Sequence, residues 1–477
     1  MGILTDLGGP RRPPIADTGR PLVVEADAEG LRAHRELRRQ VFVERQGLFA
    51  DHDRDELDDD PNTVVLIARA GDGTVLGGVR LAPCADPGLG WWAGSRLVVA
   101  PGAPPRVGAA LVRAACSRAE NAGALRFDAT VQADKERFFT RLGWVRRRTV
   151  ELHGAPHVEM TWPVDRLARL AAAKAVIGQV LGEEHPGGDG WVGDDGVPVD
   201  GSDLVAACDA IVPAMVERDP WWAGWCSVLV NVNDVAAMGA RPVGLLDALA
   251  AGTTSAAQRV AAGLRAAADT YGVPVLGGHT QIGVPAALAV TMLGRTERPV
   301  PAGGGEIGDV VSLSADLAGG WRPGYAGRQW DSTTHRSPAE LRSMVDLVAR
   351  HRPHAAKDVS MAGLVGTLAM LAEASGCGAV LDVADVPRPE AVGVGDWFAC
   401  FPGFAMITTD AAPLPADAAA PATTAACGRL VGGGGVELRW SDGVCTPAVA
   451  GPVTGLGPAA PHPPSSRPGH DGPEEPA

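Results

Sequence analysis

The sequence predicts a multidomain protein of α/β and α+β class. Three observations carry this. A chain of 477 residues is too long for one ordinary core. Strand-like runs alternate with helix-like runs and are punctuated by Gly/Pro turns. The Pro/Gly segment Pro299 to Gly305 divides the long second half in two.

In the first part, a polar helix-like run from Glu29 to Phe49 precedes a strand from Thr63 to Ala70. The turn Gly71-Asp72-Gly73 leads to a second strand, Val75 to Leu81. After a Gly/Pro loop come a strand from Ser95 to Val99, a helix from Gly108 to Ala122 and a strand from Arg126 to Gln132. Val164, Leu167, Leu170, Ala171, Ile177 and Leu181 recur at helical spacing, so a helix opens the next domain. The expected division is a loose terminus at 1–21, a mixed-sheet domain at 22–163, two lobes at 164–300 and 301–457, and a tail at 458–477. The tail is Pro-rich and expected to be disordered.

Charge and composition narrow the function. A net charge of −14 argues against nucleic-acid binding, which needs basic patches to neutralise phosphate. Lysine occurs at only three positions, Lys135, Lys174 and Lys357, so nearly all positive charge is arginine. The eight cysteines form no CxxC or zinc-type spacing, as expected of reduced thiols. The start has no apolar signal core and no apolar run reaches spanning length, so a soluble, cytoplasmic protein is expected with no membrane partner.

Two places suggest chemistry. Asp209 and Asp234 sit among Val, Leu and Met, where a carboxylate is costly unless it is paired or metal-bound. Leu97 to Val112 reads as strand, loop and helix, and a loop that opens a helix offers free N–H groups to an anion such as a coenzyme A pyrophosphate. The acidic run Asp51 to Asp60 has Glu56 where a calcium loop needs Gly, so it reads as a solvated charged loop. The Trp221-Trp222-Trp225 cluster reads as packing or an interface, with stacking on adenine as the alternative.

Residues 22–163, with the loop Pro101 to Gly108 and the segment Phe138-Phe139 to Leu142-Gly143-Trp144, resemble a GNAT-type N-acyltransferase. The stretch Arg38 to Asp60 is similar to the entry region of that fold and of its acyl-homoserine-lactone-synthase relatives. The resemblance implies a mixed sheet with helices that binds acetyl-CoA or another acyl-CoA at Val99, Arg106, Val107, Gly108 and Ala109. A catalytic acid or base would be Glu44, Asp58 or a water. The phosphate loop departs from the family pattern at Ala103 and Arg106. The family's usual tyrosine acid is missing, since the chain's two tyrosines are Tyr271 and Tyr325.

The second half resembles the aminoimidazole ribonucleotide (AIR) synthase superfamily, which includes thiamine monophosphate kinase and selenophosphate synthetase. The resemblance lies in Gly193-Asp194-Asp195-Gly196, Asp209, Asn233-Asp234 before Ala-Ala-Met-Gly, Gly277-Gly278-His279-Thr280, and Lys357-Asp358-Val359-Ser360. It implies a two-lobed α/β domain using ATP and Mg2+ on a small-molecule substrate. Metal ligands would be Asp194, Asp195, Asp209 and Asp234, and ATP contacts Asn233, Gly277, Gly278 and Asp358. Lys357 and His279 are candidate catalytic residues, and a homodimer through this half is expected. The cysteine and lysine essential to selenophosphate synthetase have no counterparts before the first lobe, and Met361 replaces the kinase-type Asp. The expected function is therefore a bifunctional acyltransferase-like and ATP-dependent enzyme. The alternative is a nucleotide- or CoA-sensing regulatory protein with degenerate sites.

Overall fold

The computed structural model describes residues 21–84, 86–181, 187–188 and 190–459. The expected loose terminus and most of the expected disordered tail lie outside these residues. The chain divides into two units, Met1–Val164 and Asp165–Ala477.

The first unit runs β1 (Leu22–Glu25), α1 (Ala28–Arg38), β2 (Val64–Arg69), β3 (Val75–Pro83), β4 (Trp91–Val99) and α2 (Arg106–Asn121). It continues with β5 (Arg126–Gln132), α3 (Glu136–Arg141), β6 (Val145–Leu152) and β7 (Ala155–Trp162). The strands form one sheet in the order β1-β2-β3-β4-β5-β7-β6. All neighbours are antiparallel except β4 and β5. Leu81, Val107, Leu111, Phe127 and Met160 are buried in its core. The expected helix Glu29 to Phe49 is cut short. Asp27 caps α1 through Gly30 N at 2.7 Å, and beyond Arg38 the chain continues as a π-helical stretch, Arg39–Arg45. Gly47, at φ +63°, then turns it into the acidic run.

That run is not a solvated loop. Asp53 and Asp58 are buried with Arg38, whose guanidinium donates to Asp53 Oδ2 at 2.7 Å and to Asp58 Oδ2 at 2.9 Å. Arg80, 1% exposed, forks onto Asp55 at 2.5 and 2.7 Å. Arg96 completes the network on Asp53 and Asp55. The strand β4 bulges at Arg96, where two of its residues face one of β3 and φ is +53°. Beside this bulge, β4 and β5 pair only over Trp91–Gly94 and Arg126–Ala129.

The second unit opens with α4 (Arg166–Ala171) and α5 (Val176–Leu181), the helix foreseen at its start in two pieces. Its first lobe runs β8 (Val197–Pro198), β9 (Leu204–Ile211), α6 (Pro213–Arg218), α7 (Pro220–Ala237), β10 (Arg241–Ala251), α8 (Thr254–Tyr271), β11 (Val275–Ile282) and β12 (Ala287–Arg295). The sheet order is β11-β10-β12-β9-β8. Alternation along β12 buries Leu288, Val290 and Met292 on one face. That inner face packs against α7, which is apolar nearly all round and buried from Trp222 to Ala237 except at Val230. Helices α7 and α8 touch backbone to backbone. A Cβ on Gly263 would stand 1.8 Å from the Trp221 carbonyl oxygen, and one on Gly224 2.0 Å from that of Val260.

The second lobe comprises β13 (Val310–Ala315), β14 (Gly320–Trp321), β15 (Trp330–Asp331), α9 (Pro338–Val345), α10 (Leu347–His351), β16 (Ala355–Asp358) and α11 (Gly363–Ala374). Then come β17 (Gly378–Asp382), α12 (Val394–Trp397), β18 (Ala405–Asp410), β19 (Thr423–Val431), β20 (Val436–Arg439) and β21 (Cys445–Val449). Its main sheet is ordered β16-β18-β13-β19-β17-β20-β21. One apolar cluster holds Val235 and Met238 of the first lobe with Met344, Phe404 and Met406 of the second, so the lobes share a core. Trp222 and Trp225 are packing residues whose indoles donate to Gln329 Oε1 at 2.6 Å and Thr333 Oγ1 at 3.0 Å.

Candidate active site

Four separated elements bring carboxylates to the seam between the lobes of the second unit. The Gly193 turn, at φ +79°, presents Asp195 from the loop before β8. Asp209 lies on β9, in the row that pairs with buried Val290. Asp234 lies in the last turn of α7, and Asp358 ends β16. Asp195, Asp234 and Asp358 each offer an oxygen within 4.8 Å of the others. Asp234 is 7% and Asp358 2% exposed.

Such a cluster opposes its own ionisation. Burial drives the Asp234 and Asp358 pKa values well above the usual carboxylate range, and the neighbouring negative charges add to it. Asp234 also stands at the negative end of the α7 dipole, the wrong end for a carboxylate. Asp209 is shifted upward by the same burial. Two cations offset part of this. Lys357 Nζ pairs with Asp195 Oδ1 and donates to the Gly193 carbonyl at 2.9 Å. Lys174 favours the charged forms of Asp209 and Asp358.

Asp358 Oδ2 is buried without a hydrogen-bond partner, and so is Asn233 Oδ1. The unpartnered Asp358 oxygen among clustered carboxylates makes a donor set for a hard divalent cation, which oxygen ligands suit. The residues present therefore fit a magnesium-type ion.

Not every expected residue joins this cluster. Asp194 turns away, and its Oδ1 accepts from Ala302 N in the interlobe segment. Burial lifts its pKa to about 7. Asn233, expected on the nucleotide, donates through Nδ2 to the Gly403 carbonyl at 2.8 Å and ties the lobes together. Lys357 is not a free phosphate-facing lysine, being 3% exposed and paired. Gly277 and Gly278 are not a turn. They lie inside β11, an exposed edge strand, opposite Leu246 and Asp247. Gly278 is needed there, because a Cβ would stand 2.6 Å from the Asp247 backbone carbonyl oxygen. His279 is also exposed on β11, its ring 3.5 Å from Gln281 Nε2.

Sequence reasoning missed the company Asp358 keeps, having assigned it to ATP alone. It also gave Asp247 no role. Asp247 shares one cross-sheet row with Gly278, Val290 and Asp209, and its pKa is raised by burial. The signal for it was an acid in the apolar run that follows Arg241 in that strand, Arg241–Ala251.

In the first unit, the residues expected to hold an acyl-CoA gather where β4 ends and α2 begins. Pro105 caps α2 without a side-chain hydrogen bond. Val107 is a core residue, and its N–H is already used by the Pro104 carbonyl at 3.0 Å. Gly108 is buried, and Arg106 is exposed. Val99 and Ala109 are partly buried. Glu44 is a surface residue ion-paired with Arg39, not a free base.

Residues 193–296 match the AIR synthase related protein N-terminal domain, and residues 306–440 match its C-terminal domain. An uncharacterised protein of Synechocystis is 37% identical over 237 residues, covering 47% of this chain and 73% of that protein. The chain belongs to the AIR synthase related protein family. Within that family, thiamine-monophosphate kinase of Methanospirillum hungatei is similar at 31% identity, over 35% of this chain and 59% of the kinase. The solved structure of thiamine monophosphate kinase from Aquifex aeolicus is similar with a TM-score of 0.44 and 21% identity, over 57% of this chain and 95% of that one. Both matched family domains lie in the second unit. Asp195 and Asp234 fall in the N-terminal family domain and Asp358 in the C-terminal one. Among the described residues no helix is long and apolar enough to cross a membrane.

Proposed function

We propose that the second unit is a Mg2+- and ATP-dependent transferase of the kinase or ligase kind, acting on a small molecule. One observation carries this reading: Asp195, Asp234 and Asp358 come together, largely buried, with an unpartnered carboxylate oxygen on Asp358. Similarity to thiamine-monophosphate kinases supports the reaction class. Asp195, Asp234 and Asp358 would hold the ion, with Asp209 adding negative charge beside them. Once bound, the ion neutralises phosphate charge. The chain's own residues position and exclude. Buried Lys357 fixes Asp195, Asn233 holds α7 to the second lobe, and the apolar wall of α7 keeps water from the carboxylates. Calorimetric titration with a non-hydrolysable ATP analogue, with and without Mg2+, tests this. Magnesium-dependent binding is expected, and binding unaffected by Asp234→Asn would overturn it.

For the first unit we propose an acyl-CoA-dependent N-acyltransferase fold. Support comes from the bulge at Arg96, the short four-residue pairing of parallel β4 with β5, and an α2 terminus lacking a side-chain cap. Acetyl-CoA binding by the full chain tests it, and no heat of binding at millimolar ligand would count against it.

The sensor alternative is favoured by specific features: Glu44 is ion-paired, no tyrosine lies in the first unit, and Lys357 is engaged. ADP release in the presence of candidate acceptors separates enzyme from sensor. Homodimerisation through the second unit is the remaining expectation. Exposed Leu246, Val275, Leu276 and Ile282 on β10 and β11 support it, and sedimentation measures it.

A further inference from the structure

The described lysine nearest the acid pocket, Lys357, occupies a place the pocket's ion would contest. It sits on β16, 3% exposed. A buried ammonium is costly without a counter-charge, and here Asp195 Oδ1 supplies it. Both Asp195 oxygens are already engaged, since its Oδ2 accepts from Asp358 N at 3.0 Å, so an ion here would compete with those partners for the remaining lone pairs. The adjacent Asp358 Oδ2, by contrast, is buried and bonded to nothing. A divalent ion shared by Asp195, Asp234 and Asp358 would therefore meet an ammonium already on one of its ligands, and like charges at such range repel strongly. Once Asp195 turned to the ion, the remaining hydrogen-bond partner of Nζ would be the neutral Gly193 carbonyl, at 2.9 Å. Of the other acids whose charge acts on it, Asp194 faces the Ala302 amide and Asp358 would itself hold the ion, so the ammonium would draw a further anion.

Side-chain chemistry points the same way. The chain has only three lysines, and its other permanently charged basic side chains are arginines. A compact ammonium on a flexible stem shifts between partners more easily than a planar guanidinium fork.

We propose that Lys357 is an internal counter-cation that couples the two ligands of the pocket. It holds Asp195 while no ion is bound, and it passes to an anionic phosphate when the ion arrives with a nucleotide. Neither free ion nor free nucleotide then binds well alone, and the metal–nucleotide complex is selected. Lys357 is a positioning residue in this account, and the account rests on the reading of the pocket as a divalent-cation site.

Calorimetry on the full chain tests it, using Mn2+ alone, a non-hydrolysable ATP analogue alone, and each in the presence of the other. In the unaltered protein each ligand raises the affinity for the other by about tenfold or more. Lys357→Met binds Mn2+ alone about tenfold more tightly and loses most of that coupling. A variant that binds Mn2+ alone no more tightly, or that keeps the full coupling, overturns the proposal. If the unaltered protein and Asp234→Asn bind both ligands equally, the cation-site reading itself fails, and this inference with it.

A second measurement needs no pocket variant. Lysine labelled at the terminal amino group gives one signal for each of three residues. The signal of the buried Lys357 is expected to resist solvent exchange and to move only when ion and nucleotide are both present. A Lys357 signal unmoved at saturation with both overturns the proposal.

Discussion

Asn233 Nδ2 donates to the Gly403 carbonyl oxygen at 2.8 Å, so a helix of the first lobe is bonded directly to the second. Asn233→Ala leaves a buried carbonyl unsatisfied and is expected to lower unfolding stability by about 1–3 kcal/mol. Urea unfolding measures this. If Asn233 instead served the nucleotide, stability would hold and affinity for the ATP analogue would fall.

The acid pocket makes a pH prediction. Asp234, Asp358 and Asp209 have folded-state pKa values raised above the 3.8 of a free Asp, and that of Asp194 reaches about 7. At these four carboxyls the folded state therefore binds more protons than the unfolded state above pH 3.8, whereas buried His34, held down to about 4, acts in the opposite sense up to its ordinary value of 6.5. Metal-free stability falls as pH rises from there through the folded-state values. Mg2+ with nucleotide displaces those protons, so its affinity rises over the same interval. Thermal melts from pH 5 to 8.5 are expected to decline without ligand and to flatten with it. Asp234→Asn should shrink the decline. A metal-free melting temperature that rises across this range would count against the assigned shifts.

Helices α7 and α8 should tolerate no methyl group between them. Gly263→Ala pushes a Cβ into the Trp221 carbonyl and is expected to cost about 1–3 kcal/mol or more. Gly252→Ala, whose Cβ meets nothing nearer than the Val284 oxygen at 4.0 Å, should change stability by no more than about 0.5 kcal/mol. Paired denaturation curves compare the two.

The buried ion network of the first unit predicts a large single-residue effect. Arg80→Ala strips Asp58, whose side chain is 3% exposed, of one of its two arginines and leaves Asp55 with Arg96 alone. The expected loss is about 3–5 kcal/mol, as for breaking a buried pair. Arg54→Ala, on an exposed pair with Asp59, should cost less than about 1 kcal/mol. Similar values for the two variants would mean that the network contributes little.

Local sequence carried much of the architecture. Apolar runs between turn residues announced β2, β3 and β5, and the helical spacing after Val164 announced α4 and α5. The hairpin β6–β7 was missed, because β6 is exposed along most of its length and has no apolar face to read. The expected Glu29 to Phe49 helix failed for a related reason: period alone does not reveal where Arg38 must bend inward to reach Asp53 and Asp58.

By itself the sequence pointed to a site, since an Asp among Val and Ala in an apolar helix is costly unless it is paired or metal-bound, and the resemblance of its motifs supplied the class of chemistry. Tertiary structure alone decided which acids meet. Asp194 and Asp195 are adjacent in the chain, yet one faces the Ala302 amide and the other the pocket, because successive side chains in a tight turn diverge. Asp358 reached Asp234 only through the packing of β16 against α7, a contact across more than a hundred residues that no local spacing encodes. Lys357 took its role from burial: the same side chain at the surface would be a solvated charge, and inside the seam it is the ammonium that the acids require.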